Sequence, residues 1–243
     1  MSRLHMVEIR PDLPALLRFL HGQGLDVVDR DEDLGYGVHA WLAAAFGQGT
    51  IRPWRLFYDG RRPTRVLGYT SRDASELREH LAAFAEPSVY AVVRDPENDI
   101  LTRPLPTWRP GMRLAFEVQC CPVGRKSRSG VEKDLFLIAA DHSGGESIDR
   151  ESVYTAWAAE RLERDNACTV RKIRLDGFRL VRQLRQTQPE GNGRSRVRLV
   201  RPMALIRGEL IVGDPDRFNA MLAGGIGRHV AFGYGMVLLS PPS

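Results

Sequence analysis

Pro104-Leu-Pro-Thr-Trp-Arg-Pro110, with Gly111-Met112 and then Arg113-Leu-Ala-Phe-Glu-Val-Gln-Cys-Cys121 behind it, decides how this chain divides. Proline has no N–H to give a sheet or helix, so three of them close together end the preceding element. From Arg113 the pattern restarts as a strand, with Leu114, Phe116, Val118 and Cys120 on one face. Upstream, Leu4–Ile9 reads as a strand and Asp12 caps a short helix to about Leu20. Gly24–Asp33 is an acidic loop. A helix over Tyr36–Phe46 carries Val38, Trp41, Leu42, Ala45 and Phe46 as its apolar stripe. Strands at Trp54–Tyr58 and Arg65–Tyr69, a helix at Asp73–Phe84 with Ser71 as its cap, and a strand at Val89–Val93 complete the order βαββαβ.

Downstream the same order recurs. After the strand at Arg113–Cys121 and a further strand at Val131–Ala139 comes a helix at Asp149–Arg164, containing Val153, Trp157 and Leu162. Long strands then occupy Thr169–Leu184 and Arg196–Val212, a short helix Asp214–Leu222, and a last strand Met236–Ser240. The expected fold is therefore α+β: tandem ferredoxin-like, RRM-like domains over residues 1–108 and 109–243, with an added basic hairpin in the second.

The 243-residue chain carries a formal charge of +5 and a pI near 9.4, and the charge is localised. Residues 171–210 hold eleven Arg or Lys against three acidic residues, whereas residues 1–99 hold twelve against fifteen. A basic second half suits nucleic acid or another polyanion. No apolar run has signal-peptide or membrane-span character. Cys120, Cys121 and Cys168 fit neither a disulfide framework nor zinc-ligand spacing, so they read as buried thiols of a cytoplasmic protein.

Four elements can carry chemistry. Gly224-Gly-Ile-Gly-Arg-His-Val-Ala-Phe-Gly-Tyr-Gly235 packs five glycines into twelve residues around Arg228 and His229. Such a loop either cradles phosphate with Gly225, Gly227, Gly233 and Gly235 or only closes a sheet. Tyr36 and His39 stand three residues apart near a helix start, on nearly one face. A histidine there is either an acid–base group or a half-buried packing residue. Gly35 and Gly37 bracket the tyrosine and allow a substrate backbone to come close. Gly124-Arg-Lys-Ser-Arg-Ser-Gly130 presents Arg125, Lys126 and Arg128 as a phosphate clamp or a solvated loop. Arg194, Arg196 and Arg198 alternate along a strand, opposite Arg182 and Arg185 on the incoming arm. This makes a basic ribbon that contacts a nucleic-acid groove or guards a sheet edge. No metal-ligand motif, Walker lysine or dinucleotide fingerprint occurs, and no cofactor is implied.

In its motifs and their order the chain resembles the CRISPR repeat-processing endoribonucleases of the type I-E Cascade system, the CasE family. The resemblance rests on Tyr36-Gly-Val-His39, on Leu114–Pro122 entering Val123-Gly-Arg-Lys126, on Val153-Tyr-Thr-Ala-Trp-Ala-Ala-Glu-Arg-Leu162, and on the terminal glycine loop. It implies a metal-independent RNase that cuts stem-loop repeats of precursor CRISPR RNA. The 2′-oxygen attacks the adjacent phosphate, leaving a 2′,3′-cyclic phosphate and a 5′-hydroxyl. His39 matches the family's catalytic histidine and Tyr36 its companion. The glycine loop matches an RNA-contacting element and the basic ribbon the part that reads the stem. Implied partners are precursor and mature CRISPR RNA and other Cascade subunits. The alternative within the same fold is an inactive RNA-binding assembly subunit. Relatives often carry lysine where Val230 stands, and Arg-Ala-Asn where Gln119, Cys120 and Cys121 stand.

Overall fold

The computed structural model describes residues 3–25, 34–59, 62–125, 132–144, 147–186 and 196–242, with the backbone alone at 183–186 and 196–198. The chain divides into two compact units. One comprises residues 1–106, 181–200 and 231–233; the other comprises 107–180, 201–230 and 234–243.

In the first unit, β1 (His5–Ile9) leads into α1 (Leu13–Gly22), which starts where Asp12 accepts the Ala15 N–H at 2.8 Å. There follow α2 (Gly35–Phe46), β2 (Trp54–Phe57), β3 (Arg65–Thr70), α3 (Ala74–Phe84), the single turns α4 (Pro87–Tyr90) and α5 (Pro96–Asp99), and β4 (Ile100–Pro104). The sheet runs β2-β3-β1-β4, all neighbours antiparallel, with Val7 between Gly68 and Thr102. Val7, Ile9 and Val66 of the sheet pack with Leu16, Leu20, Val38, Trp41, Leu77 and Leu81 of the helices, all of them 1% exposed or less. Two expectations are corrected. The α3 cap is Asp73, not Ser71, and Glu76 closes a reciprocal capping box with it. Val89–Val93 is not a strand: Pro87 opens a helical turn there, and the Val89 carbonyl accepts the buried Trp41 Nε1–H at 3.2 Å. The fourth strand is Ile100–Pro104 instead.

The second unit contains β5 (Arg113–Cys120), β6 (Val123–Arg125), β7 (Glu132–Asp134), α6 (Leu135–His142), α7 (Arg150–Leu162), β8 (Cys168–Gln186), β9 (Arg196–Val212), α8 (Pro215–Gly224) and β10 (Val237–Ser240). The hairpin ends of β8 and β9 belong to the first unit. The main sheet runs β10-β5-β9-β8, so its four strands take the same spatial order as those of the first unit. Two ferredoxin-like sheets in tandem is thus the observed architecture. The expected strand Val131–Ala139 is corrected: strand ends at Asp134, whose carboxylate accepts the Phe136 N–H at 2.8 Å and caps α6. The strand portion pairs with β6 as a small hairpin, Arg125 opposite Glu132. The three cysteines are buried thiols, none of them in a disulfide, and burial first, then Glu163, pushes the Cys168 thiol up to about 12. Among the described residues, no helix is long and apolar enough to cross a membrane.

Candidate active site

One face of α2 is fixed in the core, which sets the direction of the other. Val38, Trp41, Leu42, Ala45 and Phe46 are buried, and Trp41 meets Phe46 edge-on at 5.9 Å. Gly35 and Gly37 are buried too. A Cβ on Gly37 would lie 2.6 Å from Leu20 Cδ1, so the approach this glycine permits is that of α1. Tyr36 and His39 come out half-buried on the remaining face.

Both rings touch Phe232. Its ring stacks on Tyr36 at 5.9 Å and 14°, and meets His39 edge-on at 5.1 Å and 66°. Phe232 is itself held from both sides in sequence. The Trp54 Nε1–H donates to the Ala231 carbonyl at 3.0 Å, and Gly233, at φ +89°, lies flat against the Trp54 ring, where an added Cβ would come within 2.9 Å. Trp54 is 1% exposed and opens β2, so the sheet fixes the aromatic partner of the histidine.

Arg52 is the nearby charge. The Arg52 N–H donates to the Tyr69 carbonyl and the Tyr69 N–H to the Pro53 carbonyl, both at 2.9 Å, which ties this turn to β3. His39, Gly47, Ile51, Arg52, Trp54 and Ala231 line a small pocket. Burial first, and then the Arg52 guanidinium, hold the His39 imidazole below its ordinary pKa. It is therefore predominantly neutral near pH 7 and able to accept a proton.

A second cluster lies within the second unit. Arg228 Nη1 donates to Glu132 Oε1 at 3.1 Å, His229 Nε2 lies 2.8 Å from Oε2, and Arg201 Nη2 lies 3.3 Å from Oε2. Burial pushes Glu132 up, but the His229 contact and the two guanidinium charges prevail and leave it below the usual carboxylate range. Glu132 starts β7, and so ties the β6–β7 hairpin to the glycine loop.

The sequence-read residues separate accordingly. Tyr36 and His39 come together. Arg228 and His229 meet on Glu132. Gly227 and Gly235 meet their own chain: a Cβ would lie 2.8 Å from the Trp157 ring and 2.3 Å from the Ile226 carbonyl, respectively. Gly225, at φ +67°, follows α8 as its cap. Val230 is 4% exposed, a position shaped for an apolar side chain. Arg125 and Arg182 are exposed at the end of β6 and on β8. Lys126, Arg128 and Arg194, and the side chains of Arg185, Arg196 and Arg198, lie outside the described residues. Sequence reading missed Arg52, Trp54, Phe232 and Glu132 as site-forming residues. Phe232 stood in plain view inside the glycine loop, but nothing local linked it to α2. Among the described residues, no three His, Cys, Asp or Glu side chains converge as a metal site.

A family model described as CRISPR associated protein matches residues 4–241. The chain belongs to this family of CRISPR-associated proteins. Among solved structures it is similar to CRISPR endoribonuclease Cse3 bound to a 19-nucleotide RNA, at 21% identity over 98% of this chain and 100% of that one, with a TM-score of 0.62. It is also similar to Thermus thermophilus Cse3 bound to an RNA representing a pre-cleavage complex, at 20% identity, the same coverage and a TM-score of 0.57. A chain of a CRISPR RNA-guided surveillance complex matches at 16% identity over 98% of this chain and 100% of that one, with a TM-score of 0.56. At these identities the likeness is one of fold, shared end to end. No curated protein matches the sequence closely enough to stand beside them.

Proposed function

We propose that this family member is an endoribonuclease that cuts the stem-loop repeats of precursor CRISPR RNA without a metal ion, and keeps the mature CRISPR RNA within Cascade. Membership of the family and the fold shared with RNA-bound Cse3 support the substrate class. The observation that carries the chemistry is His39, kept short of its ordinary basicity beside Arg52 and braced with Tyr36 on Phe232. RNA supplies its own nucleophile, so the protein has to align the 2′-oxygen with the leaving oxygen and move protons. Neutral His39 takes the 2′-hydroxyl proton as the 2′-oxygen–phosphorus bond forms. The bond from phosphorus to the 5′-oxygen breaks, and that oxygen takes a proton from solvent water and leaves as a 5′-hydroxyl. Tyr36 orients the phosphate, and Arg52 offsets charge gathering on its oxygens. The products are a 2′,3′-cyclic phosphate and a 5′-hydroxyl.

The test is single-turnover cleavage of the repeat RNA from the neighbouring array, in excess EDTA, across a pH series. A base must be deprotonated to work, so the rate rises with pH and levels off above the His39 pKa. That pKa is lowered, so the midpoint lies below the ordinary 6.5. Arg52→Gln removes a charge that opposes protonation, and moves the midpoint upward. Strict dependence on magnesium, or a rate that falls as pH rises through this range, contradicts the reading.

A further inference from the structure

Away from His39, the second unit contains a cleft whose rim is basic. Arg161 of α7, Arg164 just beyond it, Arg217 of α8 and Arg228 of the glycine loop line it around Trp157, with Asp165 the one acidic residue among the lining residues. Arg228 is engaged by Glu132. The other three guanidinium groups pair with no carboxylate among the described residues. The Nε of Arg161 is buried and has no hydrogen-bond partner. A desolvated donor left unmade is unfavourable, which is why such groups usually have a partner. Arg161 sits in the last turn of its helix, where the macrodipole welcomes a cation. Arg217 does not: it lies in the first turn of α8, where a positive charge is disfavoured.

Resting on the RNA-processing reading above, we infer that this cleft binds an unpaired nucleotide of the repeat RNA, outside the stem that is cut. Guanidinium forks match phosphate oxygens in pairs. Trp157 is half-buried on the cleft wall, and a ring beside phosphate-binding arginines favours a base that is free to stack, which a paired base in a stem is not. The same arginines alone would suit an acidic peptide; the ring beside them favours the nucleotide.

The test compares wild-type protein with the triple variant Arg161→Gln, Arg164→Gln, Arg217→Gln. Two RNAs are used, the bare repeat stem-loop and the same stem-loop with its single-stranded flanks, read by fluorescence anisotropy over a salt series. For the flanked RNA the variant loses affinity about tenfold or more, and its slope of log affinity against log salt falls by about 1.4, since the two phosphates flanking one unpaired nucleotide contribute ~0.7 each. Affinity for the bare stem-loop and its single-turnover cleavage stay at wild-type values. Equal binding of the flanked RNA by both proteins overturns the assignment, as does an equal loss on both RNAs. Tighter, arginine-dependent binding of polyglutamate than of the flanked RNA by the wild type does so too. If the triple variant does not fold, 5-iodouridine placed along the flanks of RNA bound to the wild type crosslinks to Trp157; crosslinks that map only elsewhere overturn the proposal. Failure of the wild type to cleave even the bare stem-loop strikes the proposed function instead, and is seen separately.

Discussion

His39→Ala cleaves the repeat RNA on the order of 10²-fold more slowly than wild type, or slower still, while binding it with nearly wild-type affinity. The magnitude is that of a positioned proton-transfer group. His39 is half-buried on the exposed side of α2 and makes its ring contact with Phe232, so truncation leaves the core face of the helix, from Val38 to Phe46, in place. Tyr36→Phe keeps the ring that stacks on Phe232 and removes only the hydroxyl, so its loss is smaller. The measurement uses saturating enzyme in a single turnover, which isolates chemistry from product release, with circular dichroism to confirm the fold. A folded His39→Ala protein that cleaves at the wild-type rate removes His39 from the mechanism.

Gly235→Ala unfolds at a markedly lower temperature than wild type. Gly235 has φ +76°, where an L-residue is disfavoured by about 1–2 kcal/mol. Its new Cβ would come 2.3 Å from the Ile226 carbonyl and 3.1 Å from the Ile226 nitrogen, both backbone atoms that cannot swing aside. Overpacking of this kind adds about 1–3 kcal/mol. The same pair is joined by an Ile226 N–H to Gly235 carbonyl bond of 2.9 Å, and the Gly235 N–H donates to the Gln119 carbonyl at 2.7 Å, so the loop cannot move without losing a bond. Together these give a loss of about 2–5 kcal/mol, or a Tm lower by ~5–20 °C for a chain of this size. Gly224→Ala is the control: an added Cβ there meets nothing within 4 Å, at the end of a helix. Thermal melts that show the two variants alike would refute this account of why the loop is rich in glycine.

The legible parts of the fold were those that carry their own local signals. Asp12 and Asp149 cap their helices, Pro215 stands in the first turn of α8, and α2 shows its apolar stripe plainly. The two misread strands share a cause. Val89–Val93 and Leu135–Ala139, the second half of the other span, are short apolar runs, for which periodicity cannot separate strand from helix, and Pro87 and Asp134 settled the matter by starting helices. The site was half legible. Tyr36 and His39 are helix neighbours, so their pairing follows from spacing alone. Phe232 arrives from the far end of the chain, and Arg52 through the pairing of its turn with Tyr69, contacts that only the folded sheet creates. The glycine cluster was visible as an anomaly, yet Gly227, Gly233 and Gly235 all turn out to accommodate close contacts within the protein.

Attack by the 2′-oxygen is tested most directly with a repeat RNA carrying a single 2′-deoxynucleotide immediately upstream of the scissile phosphate. Wild-type protein is expected to bind this RNA as it binds the unmodified one and to leave it uncut at that phosphate, while the unmodified RNA yields a 2′,3′-cyclic phosphate and a 5′-hydroxyl in the same buffer. Cleavage of the deoxy-substituted RNA at the same phosphate and at the unmodified rate would contradict it.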